Sequence, residues 1–136
     1  MDSLSAFLHP VEVQEEQEVI VSRRFVGEDG KPIPFRIRAL TQEENDRISK
    51  MSRKRIKDNG RVQEVLDPVE FSRRMVLAAT VFPDFSSKEL CDRYGVLDPQ
   101  MVPGKMLRPG EYTRLLDAIN TLCGFDSVLE DEAVKN

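Results

Sequence analysis

From Val19 to Val26 apolar and polar residues alternate, with Val19, Val21 and Phe25 on one face. Alternation resumes from Ile33 to Ala39, where Ile33, Phe35, Ile37 and Ala39 share a face. Between the two runs, Gly27 to Lys31 holds the turn signal Asp29-Gly30. The pattern predicts a β-hairpin over about residues 18–39 with one apolar face. Pro32 and Pro34 have no N–H to give to a ladder, so the second strand is expected to begin late or to lie at an edge. Upstream, Ser3 to Leu8 fits a short amphipathic turn stopped by Pro10.

After Leu40 the period becomes helical. Thr41-Gln42-Glu43-Glu44 is a capping box, and the helix it opens is expected to run to about Asp58, where Asn59-Gly60 ends it. Asp67-Pro68-Val69-Glu70 is a second start signal, with an acceptor at the cap, proline in the first turn and glutamate behind it. Its helix carries Phe71, Met75, Ala78 and Phe82 on one stripe, widened by Val76, Leu77 and Ala79, and Pro83 is its expected end. Ser86 to Tyr94 predicts a short helix closed by Gly95, and 97–108 a loop containing Pro99, Pro103 and Gly104. Pro109 opens the most regular helix, with the stripe Tyr112, Leu115, Leu116, Ile119, Leu122 and Cys123, and Gly124 stands where a helix terminates in left-handed backbone. Ser127 to Ala133 is a candidate final helix before an acidic end. The expected fold class is α+β, an N-terminal β-hairpin followed by four or five helices over about 41–134, packed as one domain spanning 1–136.

Composition narrows the function. A chain of 136 residues buries roughly two-thirds of its unfolded surface, enough for a true core. The apolar content of 40% and charged content of 32% are globular values. The net charge of -4 argues against general nucleic-acid binding, which needs cationic excess. The residues after Met1 do not resemble a secretion signal, and the longest apolar run, Met75 to Ala79, is far shorter than the ~18 residues of a membrane helix. Cys91 and Cys123 are expected to be reduced, largely buried thiols of a cytosolic protein.

No residue set suggests catalysis, and neither cofactor nor metal is expected. His9 is the one histidine, the cysteines lack close pairing, and no phosphate-binding glycine loop occurs. The carboxylates gather as Glu12 to Glu18 and Asp126 to Glu132, a pattern of solvated surface. Two segments imitate nucleic-acid binders. Arg47 to Arg61 holds seven basic residues against Asp58 alone, but without interleaved aromatics, and a charged helix facing water is the favoured reading. Ser87 to Val96 has the shape of the first helix and turn of a helix-turn-helix, but Pro103 and Gly104 interrupt the place of a recognition helix.

Taken in order, several segments resemble the XkdN-like tail assembly chaperones of phages and prophages of Gram-positive bacteria. They are Leu4-Phe7-Leu8; Arg24-Phe25, Asp29-Gly30-Lys31-Pro32 and Phe35 to Leu40; Phe82-Pro83-Asp84-Phe85; Tyr94-Gly95-Val96; Pro109-Gly110-Glu111-Tyr112; and Gly124-Phe125-Asp126. The resemblance implies a cytoplasmic, non-enzymatic protein, absent from the finished virion. Its partner would be the tape measure protein, a very long helical chain kept soluble while tail tube subunits polymerise around it. It further implies that this chain is the short form of a pair. Lys135-Asn136 permits a slippery adenine run, so a frameshifted longer form would recruit tail tube protein. The family supplies no site residues, and physics suggests Leu4, Phe7 and Leu8 together with Phe82 and Phe85 as partner-binding positions. For the last two, packing within the domain is the favoured alternative. The alternative function is a phage-encoded nucleic-acid-binding regulator using a basic helix at 47–61 and the helix-turn-like segment 86–96.

Overall fold

The computed structural model describes residues 3–11 and 16–125. Helix α1 (Ser3–Leu8) is a single exposed stretch with no buried residue. Strands β1 (Glu16–Val19) and β2 (Phe35–Arg38) pair antiparallel from Glu16↔Arg38 to Val19↔Phe35. This is the expected hairpin, but its ladder is interrupted. The next bridge is Val26↔Pro32, so residues 20–25 on one side face only 33 and 34 on the other. Pro32 and Pro34 withhold the donors that would extend the ladder. The slack instead turns Val21 inward, where it is fully buried and its carbonyl accepts a hydrogen bond from the Arg114 guanidinium. The second strand begins late, as its prolines require, yet it lies at the centre of the sheet and not at an edge.

Helix α2 (Gln42–Met51) opens on the predicted capping box. Thr41 Oγ1 accepts from the Glu44 N–H at 3.2 Å, and the Glu44 carboxylate accepts from the Thr41 N–H at 3.1 Å. The helix does not reach Asp58. It stops at Met51, and a second hairpin follows, β3 (Arg53–Asp58) and β4 (Arg61–Leu66), paired residue for residue from Arg53↔Leu66 to Asp58↔Arg61. Asn59 and Gly60 form its two-residue turn with φ of 50° and 77°. Positive φ at both turn positions is the geometry that joins two right-twisted strands, and Asn-Gly is the dipeptide that tolerates it best. The basic helix at 47–61 therefore does not exist; most of its charge lies on a β-ribbon.

Helix α3 (Pro68–Ala79) starts where expected, with Asp67 Oδ1 accepting from the Val69 and Glu70 N–H groups at 3.0 and 3.3 Å. It ends at Ala79, short of Pro83, because Thr80–Phe82 leave the helix as strand β5 and pair with β2. The sheet order is β1-β2-β5, all antiparallel. Phe82 thus stands on a strand at 47% exposure instead of completing the helical stripe. Helix α4 (Lys88–Tyr94) is capped by Ser87 and closed by Gly95 at φ 68°. The expected loop that follows contains a 3-10 turn (Pro99–Met101) and helix α5 (Val102–Met106). Pro103 is tolerated because it sits in the first turn, where its missing N–H costs no helical bond. Val102, Pro103 and Met106 are buried, leaving only Gly104 and Lys105 of the five-residue α5 exposed, too little for a recognition helix, and the segment 86–96 is a structural helix-turn.

Helix α6 (Pro109–Leu122) ends as its sequence predicts. The Phe125 N–H reaches the Asn120 carbonyl at 2.8 Å and the Gly124 N–H that of Thr121 at 3.0 Å, with Gly124 at φ 91°. This pair of bonds closes the helix in left-handed backbone. Its inward residues Leu115 and Ile119 are fully buried. They meet Phe35 and Ile37 of the sheet and Met75, Val76 and Ala79 of α3 in one core. Phe85 belongs to that core at 1% exposure, its ring 6.3 Å from that of Phe35. The candidate helix at 127–133 lies outside the described residues.

Candidate functional site: an apolar groove and its supports

The N-terminal halves of α3 and α6 face each other across a groove of about 850 Å³. Val69, Ser72 and Arg73 form one wall, Pro109, Tyr112 and Leu116 the other. Both sets follow i, i+3, i+4 or i+7 spacing, so each wall is one helical face. The Tyr112 hydroxyl and Ser72 Oγ, 2.8 Å apart, tie the walls together. The far end is lined by Met101, Gly104 and Lys105 from the 3-10 turn and α5. Val69 is 56% exposed and Met101 38%. The charged residues lining the groove are Arg73 and Lys105, with no carboxylate among them, although the chain as a whole is acidic.

An ion pair fixes the geometry of one end. Arg24, from the looped-out part of the first hairpin, donates through Nε to Glu111 Oε2 at 2.9 Å and through Nη2 to Oε1 at 2.5 Å. The same Nη2 reaches the Met106 carbonyl at 3.0 Å, and the Arg108 N–H donates to Glu111 Oε1 at 2.8 Å. One guanidinium thus joins the hairpin, the end of α5 and the start of α6. These bonds hold the Glu111 carboxyl down at about 2, below its ordinary 4.5, the Arg24 hydrogen bond being the largest cause and burial opposing it. Arg24 is correspondingly raised. A second pair, Arg38–Glu44, joins β2 to the cap of α2 at 2.5 Å. It lowers the Glu44 carboxyl to about 2, chiefly through the Arg38 hydrogen bond and then the Thr41 N–H. Both pairs are structural braces. Among the described residues no three metal-ligating side chains converge. No helix of the described residues is long and apolar enough to cross a membrane. Cys91 is buried and Cys123 half-buried, both free thiols.

Of the five suggested partner-binding residues, Leu4, Phe7 and Leu8 lie together on α1, where Phe7 is 82% and Leu8 64% exposed. Phe82 is exposed on β5, and Phe85 is in the core, so the pair around Pro83 is split between surface and interior. Sequence reasoning missed the groove because Tyr112 and Leu116 read as core stripe residues, Val69 as part of a helix start signal and Leu107 as part of a loop. The groove is made by residues of several elements brought together, which the periodicity of one helix does not report.

A family model described as the phage XkdN-like tail assembly chaperone protein matches residues 4–135. Over 127 residues the chain is 41% identical to protein YqbN of Bacillus subtilis (strain 168) and 38% identical to the phage-like element PBSX protein XkdN of the same strain. Each alignment covers 90% of this chain and 85% of the relative. The crystal structure of YqbN superposes with a TM-score of 0.70 at 31% identity, covering 89% of this chain and 96% of that one.

Proposed function

We propose that this chain, which belongs to the XkdN-like phage tail assembly chaperone family, holds apolar helical segments of the tape measure protein in the groove between α3 and α6. The observation that carries this is the groove itself: a concave, mainly apolar surface between two helices, with cations and no acid in its lining. Helix-in-groove recognition uses such a surface, reading apolar anchors spaced along one face of a partner helix. A tape measure chain presents long apolar stripes before assembly and aggregates unless they are covered. Exposed Phe7 and Leu8 on α1 offer a second apolar contact for the same partner. The role is binding without chemistry, in the host cytoplasm and before the virion is complete.

Co-expression with the tape measure protein of the same phage tests this. Wild type should raise that protein's soluble yield. Gly104→Phe should abolish the gain: a Cβ at Gly104 meets nothing within 4 Å, so a large side chain there enters the groove without displacing the core. Phe7→Ser with Leu8→Ser should reduce the gain with the fold intact. No rescue by wild type would refute the role. Full rescue by Gly104→Phe would remove the groove from it.

A further inference from the structure

The β3–β4 ribbon contributes nothing to the core. Every residue of β3 is exposed, and of β4 only Val65 is partly covered. A two-stranded hairpin alone in water is marginal, so these 14 residues (53–66) are not retained for the stability of the domain. They are also a closed module: the Asp67 N–H donates to the Ser52 carbonyl at 2.8 Å, so the chain leaves and re-enters the domain at one point. Ser52 at that point is buried and its hydroxyl is tied to the Ile48 carbonyl at 2.6 Å.

The ribbon's charge is opposite to that of the rest of the chain. Arg53, Lys54, Arg55, Lys57 and Arg61 stand against Asp58 and Glu64, a net +3 in a chain of -4. Lys54 pairs with Asp67 at 3.9 Å; among the described residues the other four cations make no ion pair. Aliphatic residues interleave with them. Opposite partners share a face, so Arg53, Arg55 and Lys57 lie with Leu66 and Val62, while Lys54 and Ile56 lie with Val65. The ribbon's base adjoins the groove: Leu66 ends β4, and Pro68 and Val69, two and three residues on, line the groove's α3 wall.

We infer that the ribbon is a docking arm that lengthens the groove, and that its occupant is an amphipathic helix whose apolar stripe is flanked by carboxylates. This rests on the groove reading given above. Charge supports the acidic flank, because the groove's Arg73 and Lys105 and the ribbon's net +3 have the same sign. The interleaved Ile56, Val62, Val65 and Leu66 favour a protein partner, and the lack of any aromatic residue argues against single-stranded nucleic acid, whose bases stack on aromatic platforms. At roughly 3.4 Å per residue each six-residue strand is about 20 Å long.

The test uses two labelled synthetic helices about five turns long, each with a leucine stripe, one flanked by glutamates and the other by lysines. Wild type should bind the glutamate peptide about tenfold more tightly than the lysine peptide. Replacing 53–66 by two glycines between Ser52 and Asp67 should markedly reduce that preference with the thermal melt retained. Arg53→Glu with Arg55→Glu and Lys57→Glu should reverse it. Gly104→Phe should weaken both peptides and so reports on the groove separately. If the excised protein keeps the wild-type preference, the arm has no docking role and the groove reading stands. If Gly104→Phe binds as wild type does, the groove reading fails whatever the arm does. Wild type binding neither peptide overturns both. Duplex DNA bound at nanomolar affinity in ~150 mM salt, and lost on excision, would make the occupant a nucleic acid and overturn the proposal.

Discussion

The two β-hairpins of this protein have opposite surroundings. In the first, β2 offers Phe35 and Ile37 to one side, and both are buried under α3 and α6. Its ladder is short and broken by prolines, yet Arg24 braces it to the distant α6 and Arg38 to the adjoining α2. In the second, the ladder is complete and the turn ideal, but almost nothing covers either face. Good local pairing and burial are separate properties. The first hairpin depends on tertiary contacts and the domain on it; the second depends on its own turn and strands, and the domain needs it little.

An aspartate placed in each hairpin tests this contrast at its greatest. Ile37 is fully buried, and Ile37→Asp puts an unpaired carboxylate in the core at a cost of several kcal/mol, against a total of roughly 5–15. The expected result is loss of the cooperative melt. Ile56→Asp, at 39% exposure on the ribbon, should change stability by no more than about 0.5 kcal/mol. Equal effects from the two would mean the ribbon is packed in solution.

The next effect in size is acid sensitivity through the braces. Glu44 and Glu111 titrate near 2 when folded against an ordinary 4.5. Between those values the unfolded chain takes up protons that the native carboxylates refuse, so the stabilisation is complete above 4.5 and is lost as pH falls toward 2. Glu111→Gln should lower the melting temperature by several degrees at pH 7 and flatten its decline across that window. An unchanged acid slope would show that Arg24–Glu111 does not brace the hairpin. Excising 53–66, by contrast, should shift neutral-pH stability by about 0.5 kcal/mol or less, measured by urea titration.

Glycine gives the finest comparison. Gly30 and Gly60 both sit at φ 77° with open space around a would-be Cβ, so alanine at either incurs only the left-handed backbone cost of roughly 1–2 kcal/mol. In the first hairpin that strain is coupled to the fold, and Gly30→Ala should lower the melting temperature. Gly60→Ala should leave it unchanged and instead speed amide exchange within 53–66 alone.

Much of this was legible in the chain. Thr41 and Asp67 cap helices where they were expected, and Gly95 and Gly124 end them. The error at Arg53 to Leu66 was one of competing signals. A capping box announces a helix that Asn59-Gly60 could end, but the β-branched flanks Ile56, Val62 and Val65 make the same dipeptide a hairpin turn. Phe82 failed for another reason. Its i+11 spacing suits a helix, but a vacancy beside β2 rewards Thr80–Phe82 for extending into backbone pairing, and no local pattern records a sheet edge that distant residues create.

What the sequence determined alone is local: caps, turns and the one-sided stripes of β2, α3 and α6, because each depends on backbone chemistry within a few residues. The family resemblance rested on the same marks, since their order along the chain is itself sequence. Only the tertiary structure decided which apolar residues are core and which are surface. Leu115 and Leu116 are neighbours on one stripe, yet the first is sealed against the sheet and the second lines the groove. That division depends on how two helices are placed, a relation between elements far apart in the chain that the period of one helix does not contain.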